Sequence, residues 1–311
     1  MSRFLVTGGA GFIGSHIVEA LVKQGQSVRV LDNFSSGKIS NLKGLEKKID
    51  LVKGDIRSPE TCVKAAKRID FVLHQAALRS VPKSMLDPRA YNQVNIDGTL
   101  NMLEACRQNK VKRFVFASSS SVYGQVQSFP EKENFIPGPI SPYALSKLTG
   151  EHYCQIFSLH YGLPAVVLRY FNVFGPRQAL DDDYAVVVPK FINCLLKNQP
   201  APIFGNGRQS RDFTFVQNVV LANLLAVRAA KVKYGVFNIA AGSSISVLEL
   251  VKILNKILNK NIRPKMLPAR PGDVFKTSAD ISKAARLLNF KPQVNFIEGL
   301  KITVDFWKKN A

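Results

Sequence analysis

Short apolar runs separated by amphipathic stretches recur along the first half of the chain. Arg3–Val6, Ser27–Leu31, Ile49–Lys53, Phe71–His74, Arg113–Ala117 and Ala165–Arg169 read as buried strands, being short, apolar and rich in β-branched and aromatic residues. Ile17, Val18, Leu21 and Val22 share one helical face, and longer helical segments cover Ala90–Gln108 and Tyr143–His160. Strands alternating with helices predict an α/β, doubly wound parallel sheet. Beyond Gly175-Pro176 the regularity loosens, with Pro189, Pro200, Pro202, Pro264, Pro268, Pro271 and Pro292 punctuating short elements. The expectation is a sheet-forming domain over 1–175 and a smaller C-terminal substrate-binding lobe over 176–311, with a segment near 213–240 returning a strand or helix to the main sheet.

The first strand runs into Thr7-Gly8-Gly9-Ala10-Gly11-Phe12-Ile13-Gly14-Ser15-His16, a glycine-rich turn before a helix. Gly8, Gly11 and Gly14 let the backbone turn tightly, bring a pyrophosphate to the helix N-terminus and allow helix and strand to pack closely. Asp32 ends the second strand about 20 residues later, placed to accept from both ribose hydroxyls and to repel a 2′-phosphate, which favours NAD over NADP. The spacing is GxxGxxG, and glycines alone also fit an ordinary tight turn. Strand, helix and downstream acid together give a Rossmann-like, NAD-binding reading of 1–175.

Composition narrows the classes. A hydrophobic share of 46% over 311 residues supplies an ample core. No apolar run is long enough to span a bilayer, and the N-terminus lacks a basic segment, a signal-type core and a cleavage site, so a cytoplasmic protein is expected. Cys62, Cys106, Cys154 and Cys194 are far apart without a CxxC pair, which suits reduced, buried thiols rather than a metal site. The net charge of +21 raises nucleic acid as a partner. The lysines come in ones and twos without a tract or interleaved aromatics, so a generally basic surface, attractive to any anion, is the reading, with no specific nucleic acid and no membrane.

Tyr143-Ala144-Leu145-Ser146-Lys147 sets a phenol and an ammonium on one face of a helix. A fixed cation nearby favours the phenolate, whose ordinary pKa is about 10, and would make Tyr143 a base. Alone, YxxxK is a common surface pair. It gains weight from Ser118-Ser119-Ser120-Ser121-Val122-Tyr123-Gly124 directly after the fifth strand, where ligands of open α/β sheets collect, although serine-rich loops are often plain turns.

These motifs resemble the extended short-chain dehydrogenase/reductases, in particular the NAD-dependent UDP-hexose 4-epimerases. The likeness extends through Gly54-Asp55-Ile56, His74-Gln75-Ala76-Ala77, Asn95-Ile96-Asp97-Gly98-Thr99, Arg169 to Arg177, Ser210-Arg211-Asp212-Phe213 and Arg270-Pro271-Gly272-Asp273, essentially the whole chain. It implies Ser119 as catalytic serine, Tyr143 as proton-transferring base, and Lys147 as the residue that holds the nicotinamide ribose and the phenolate. It implies an NAD site of Gly8, Gly11, Phe12, Ile13, Gly14, Asp32, Asn33, Ser36 and Gly37, with Asp55 and Ile56 at the adenine. Gln75, Ala76, Ala77, Arg79 and Tyr170 would lie along the cofactor, and Asn95 would buttress the site. For the UDP-sugar it implies Ser80, Ser119, Ser120, Ser121, Tyr143, Asn172, Val188, Arg211, Arg270, Asp273 and Thr277, with Asn172 and Arg211 on the diphosphate. A lone Arg211 or Arg270 would otherwise read as a solvated charge. A homodimer through Ala90–Gln108 and Tyr143–His160 is the family's habit.

Relatives that eliminate water carry an acid pair in the serine loop, and the decarboxylases carry a glutamate directly before VYG, where Ser121 stands here. Without a loop carboxylate, epimerisation through a 4-keto sugar is the expected reaction, with NAD returned unchanged each cycle. A decarboxylase or dehydratase, or a non-catalytic NAD-binding scaffold, is the rival. In the epimerases a bulky tyrosine seven positions after the arginine of RPGD restricts the site to glucose and galactose, and here that position is Thr277. The flank Ala77 to Ser84 and the run Tyr184 to Phe191 resemble the UDP-N-acetylglucosamine branch, whereas Arg79 leaves UDP-glucose and a uronic acid (UDP-glucuronate or its acetamido counterpart) open.

Overall fold

The computed structural model describes residues 1–180, 187–269 and 275–309. Seven strands form one parallel sheet: β1 (Arg3–Thr7), β2 (Ser27–Asp32), β3 (Ile49–Lys53), β4 (Phe71–His74), β5 (Arg113–Ser119), β6 (Ala165–Tyr170) and β7 (Tyr234–Ile239). Their spatial order is β7-β6-β5-β4-β1-β2-β3. β5 and β6 are buried almost throughout, which explains their unbroken apolar sequence: both faces of a parallel sheet are covered by helices. On one face α1 (Phe12–Lys23) packs Ile17, Val18 and Leu21 against Val219, Ala222 and Ala226. The other face is covered by α2 (Pro59–Ala66), α3 (Gly98–Gln108) and α4 (Pro142–Tyr161), which bring Cys62, Met102, Leu103, Cys154 and Phe157 into one cluster. Cys62, Cys106 and Cys154 are buried free thiols.

The segment 213–240 supplies both a helix, Val216–Arg228, and the sheet-edge strand β7, paired along β6 from Tyr234–Ala165 to Ile239–Tyr170. The stretch expected as one helix over Ala90–Gln108 is divided. Pro88–Tyr91 is a single helical turn, Asn92–Asp97 is a π-turn, and α3 begins only at Gly98. A widened turn displaces the residues it carries from the regular helical face, and Asn95 lies within it.

Residues after 175 contribute a separate apolar cluster, built where α5 (Val187–Leu196), α7 (Val247–Leu258) and α8 (Phe296–Lys309) meet Phe174, Phe213 and Phe215, α6 being the helix Val216–Arg228. Short two-stranded pairs surround it: Val173–Phe174 with Thr214–Phe215, Ser210–Asp212 with Ser244–Ser246, and Pro202–Phe204 with Lys265–Leu267. No helix of the described residues is long and apolar enough to cross a membrane.

Candidate active site

The sheet order reverses between β1 and β4, so their carboxyl ends open a crevice. Gly8 sits there at φ +65°, and a Cβ on it would lie 2.8 Å from the Ala76 nitrogen, so only glycine lets the two strand ends approach. Gly11 begins α1 without a side-chain cap among the described residues, leaving the helix N-terminus open to an anion. A cleft of about 440 Å³ follows. Every residue expected at the cofactor lines it except Asn95, which is buried behind.

The Asp32 carboxylate is held by backbone. Oδ2 accepts from Ala10 N at 2.9 Å and Oδ1 from Phe34 N at 2.8 Å, and a Cβ at Gly37 would crowd both oxygens at 2.9 Å. An ionised carboxylate has about four acceptor positions, so two remain for ribose hydroxyls. Asp55 lines the cleft with its carboxylate already bound by Arg57 at 2.8 Å and Asn33 at 2.8 Å. The Arg57 hydrogen bonds, ahead of Asn33, hold its pKa down at about 2. The cradle therefore fits a dinucleotide on its own geometry: an uncapped helix end, a side-chain-free turn and a fixed acid.

β5 ends at Ser119, whose Oγ accepts from Ser121 N at 3.2 Å and from the Ser121 hydroxyl at 2.9 Å, while Ser120 continues the same turn. Tyr143, in the first turn of α4, shares a side-chain hydrogen bond with Ser119. Its pKa is raised by burial, opposed by that bond and by the field of Arg79. Lys147 is buried and donates from Nζ to Ala117 O at 2.9 Å, with the Phe116 ring 5.1 Å away. Burial brings its own pKa down to about 8. That bond uses one of the three ammonium donors, and Arg79, exposed along the cleft, adds its positive field to the phenol.

A second cleft, about 220 Å³, contains Asn172, Val188, Lys190, Phe204, Gln209 and Arg211 among its lining residues. Gln178 lines both clefts, which joins them. Asn172 adopts φ +32°, and its Nδ2 donates to Thr277 Oγ1 at 2.9 Å and to Asp212 O at 3.3 Å. Thr277 also accepts from Asp212 N at 3.3 Å and lines neither cleft. The hydroxyl thus orients Asn172 instead of forming an open wall, and a change at 277 reaches that side chain directly. Ser80 also lies outside both clefts, capping the short helix Val81–Leu86 and donating from its N to Tyr91 Oη at 3.0 Å. Arg270, Asp273 and Tyr184 lie outside the described residues.

The profile of the NAD dependent epimerase/dehydratase family matches residues 4–240. The chain belongs to that family. A UDP-N-acetylglucosamine 4-epimerase from Methanobrevibacter ruminantium M1, solved with UDP-N-acetylmuramic acid, is 42% identical at a TM-score of 0.96, over 100% of this chain and 99% of that one. A UDP-glucuronic acid 4-epimerase from Bacillus cereus, solved with UDP-glucuronic acid and NAD, is 36% identical at 0.92, over 99% and 100%. A putative UDP-glucose 4-epimerase of Methanocaldococcus jannaschii is 39% identical over 98% of both chains.

Several positions in this epimerase-family fold escaped the sequence reading. Gln178 and Gln209 carried no motif, and the second donates to Phe204 O at 2.7 Å from within the substrate-side cleft. Asn223 of α6 is fully buried and closes a ring of hydrogen bonds. It donates to Tyr170 Oη at 2.8 Å, Tyr170 donates to Gln75 Oε1 at 3.3 Å, and Gln75 donates back at 3.2 Å. A buried asparagine in an apolar helix, here Asn223 as well as Asn218, is the signal that could have found it. Beneath the serine loop, Glu151 holds Arg169 through two bonds of 2.9 and 2.6 Å and accepts from Ser118, an ion pair almost wholly removed from water.

Proposed function

We propose that the protein is an NAD-dependent UDP-sugar 4-epimerase, an isomerase. The observation that carries this is the half-buried Tyr143 phenol beside Ser119 at the edge of the dinucleotide cleft, with Arg211 and Asn172 in an adjoining cleft. NAD, when bound, supplies reversible oxidation at the sugar C4. Asp32 takes the adenosine ribose, and the open N-terminus of α1 takes the pyrophosphate. Lys147, with two ammonium donors beyond the one on the Ala117 carbonyl, would hold the second ribose. Tyr143 accepts the proton of the 4-hydroxyl and later returns it, while Ser119 holds the same oxygen. Arg211 and Asn172 retain the diphosphate as the 4-keto sugar turns its other face.

Acetamido sugars, UDP-GlcNAc and UDP-GalNAc, rank first. Their support is the likeness to the Methanobrevibacter epimerase. A uronate reading rests on Arg79, whose positive field reaches Tyr143 and whose side chain is exposed at the cleft. Purified protein incubated with UDP-GlcNAc, UDP-Glc and UDP-GlcA, followed by separation of C4 epimers, tests the reading. A C4 epimer of unchanged mass is expected, largest from UDP-GlcNAc; loss of mass, or no product from any of the three, refutes epimerisation. We place a homodimer contact on α4, where Leu145, Ile156 and Leu159 stand exposed, and expect light scattering to give twice the chain mass.

A further inference from the structure

His74 ends β4 fully buried and takes no part in the chemistry just described. Its hydrogen bonds nevertheless assign every proton around it. The Thr99 hydroxyl spends its single proton on the Asn95 carbonyl at 2.6 Å, so toward His74 Nε2, 3.1 Å away, it accepts and Nε2 carries hydrogen. The other ring nitrogen is then bare in a neutral imidazole and accepts from Thr7 Oγ1 at 2.8 Å. Thr7 Oγ1 in turn accepts from Ala76 N at 3.2 Å. A second proton on the ring would face Thr7 with two donors and no acceptor. Burial depresses the imidazole pKa to about 3, with Lys147 as the charged neighbour adding to it.

The chain continues toward the reactive side. The Asn95 carboxamide accepts from Leu78 N at 2.8 Å and donates to Leu78 O at 3.0 Å and Ser146 Oγ at 2.9 Å. Ser146 donates to the Tyr143 carbonyl at 2.8 Å. The imidazole also stacks on Phe116 at 6.0 Å and 18°, and Phe116 is the ring that Lys147 Nζ approaches. One imidazole thus joins the glycine turn, the π-turn and the first turn of α4.

We propose that His74 is a positioning residue: held as the neutral Nε2–H tautomer, it fixes the π-turn bearing Asn95 to the end of β1 and thereby sets Tyr143 and Lys147 against the cofactor cleft. A carboxamide, carrying both a donor and an acceptor, replaces part of that bridge, whereas a phenyl ring of similar size replaces none of it. The rate consequence rests on the function proposed above; the tautomer does not.

The chain has four histidines, so selective ¹⁵N-histidine labelling of the whole protein resolves each ring by NMR. The ring whose signals disappear in His74→Gln is expected with a protonated Nε2 and a bare Nδ1, unchanged between about pH 5 and 8; His16, which also donates from Nε2, is told apart by that assignment. The opposite tautomer, or titration in that range, overturns the assignment. In the NAD-loaded enzyme, His74→Phe is expected to lower kcat roughly 10- to 100-fold with KM and bound NAD unchanged, and His74→Gln to recover most of it. Equal kcat in all three, with only the thermal midpoint lowered, reduces His74 to a packing residue. Should His74→Phe not fold, Thr99→Val removes the acceptor of Nε2–H together with the donor to Asn95 O, and an unmoved Nε2–H resonance there refutes the bridge. If the native protein turns over no UDP-sugar, the proposed function falls while the tautomer and the Thr99 variant still decide the role of His74.

Discussion

The cofactor cleft and the substrate-side cleft are built by different means. In the first, backbone does the positioning: a glycine turn at φ +65°, an uncapped helix end, and an aspartate fixed by two peptide N–H groups from within its own loop and the neighbouring turn. In the second, side chains from positions 172, 190, 204, 209 and 211 converge, and Asn172 is oriented by Thr277, 105 residues further on. A site made of backbone depends on a short local sequence. A site made of converging side chains depends on how several segments fold together, and conservative changes far away alter it.

The sheet side offers the largest effect. Arg169→Ala leaves Glu151 as an uncompensated buried charge and is expected to destabilise by about 3–5 kcal/mol, measured by urea unfolding. A change near zero would mean that water reaches Glu151. Next, Tyr143→Phe is expected to retain the fold and bound NAD while turnover drops by about 10²-fold or more. Near-normal turnover removes Tyr143 from proton transfer and leaves the cofactor cleft without a base.

The joint between the two regions titrates. His16 of α1 donates from Nε2 to Pro176 O at 2.9 Å, and burial lowers its pKa from 6.5 to about 4. The folded state therefore binds this proton less readily than the unfolded chain, so its contribution is complete above about pH 6.5 and is lost as pH falls toward 4. Glutamine keeps a donor and does not titrate. Between pH 7 and pH 5 the native protein is expected to lose about 2 kcal/mol relative to His16→Gln in paired unfolding curves, and parallel curves refute the joint. On the substrate side, Arg211→Met is expected to raise KM for the UDP-sugar about tenfold, an effect of about 1.4 kcal/mol, without loss of NAD. If NAD is lost as well, the two clefts are not separately built, and the comparison fails.

Much of the sheet side was legible because its signals are local. Apolar runs marked six of the seven strands, and the glycine spacing with Asp32 marked the crevice, since short-range sterics and hydrogen bonding fix such a turn. The seventh strand, Tyr234–Ile239, was anticipated only as a returning segment because nothing nearby in sequence says which strand it pairs with. The π-turn at 92–97 was hidden in a pattern that reads as plain helix: one extra residue per turn leaves no compositional mark.

The sequence by itself determined the parallel sheet and the dinucleotide cradle, because each follows from the residue types in short stretches. Tertiary structure decided what the side chains face. It buried Lys147 against the Ala117 carbonyl, brought the field of Arg79 to the phenol, and made Thr277 the hydrogen-bond partner of Asn172. Electrostatic influence and hydrogen-bond partnership depend on distance and burial, and for residues far apart in sequence only the folded chain sets either.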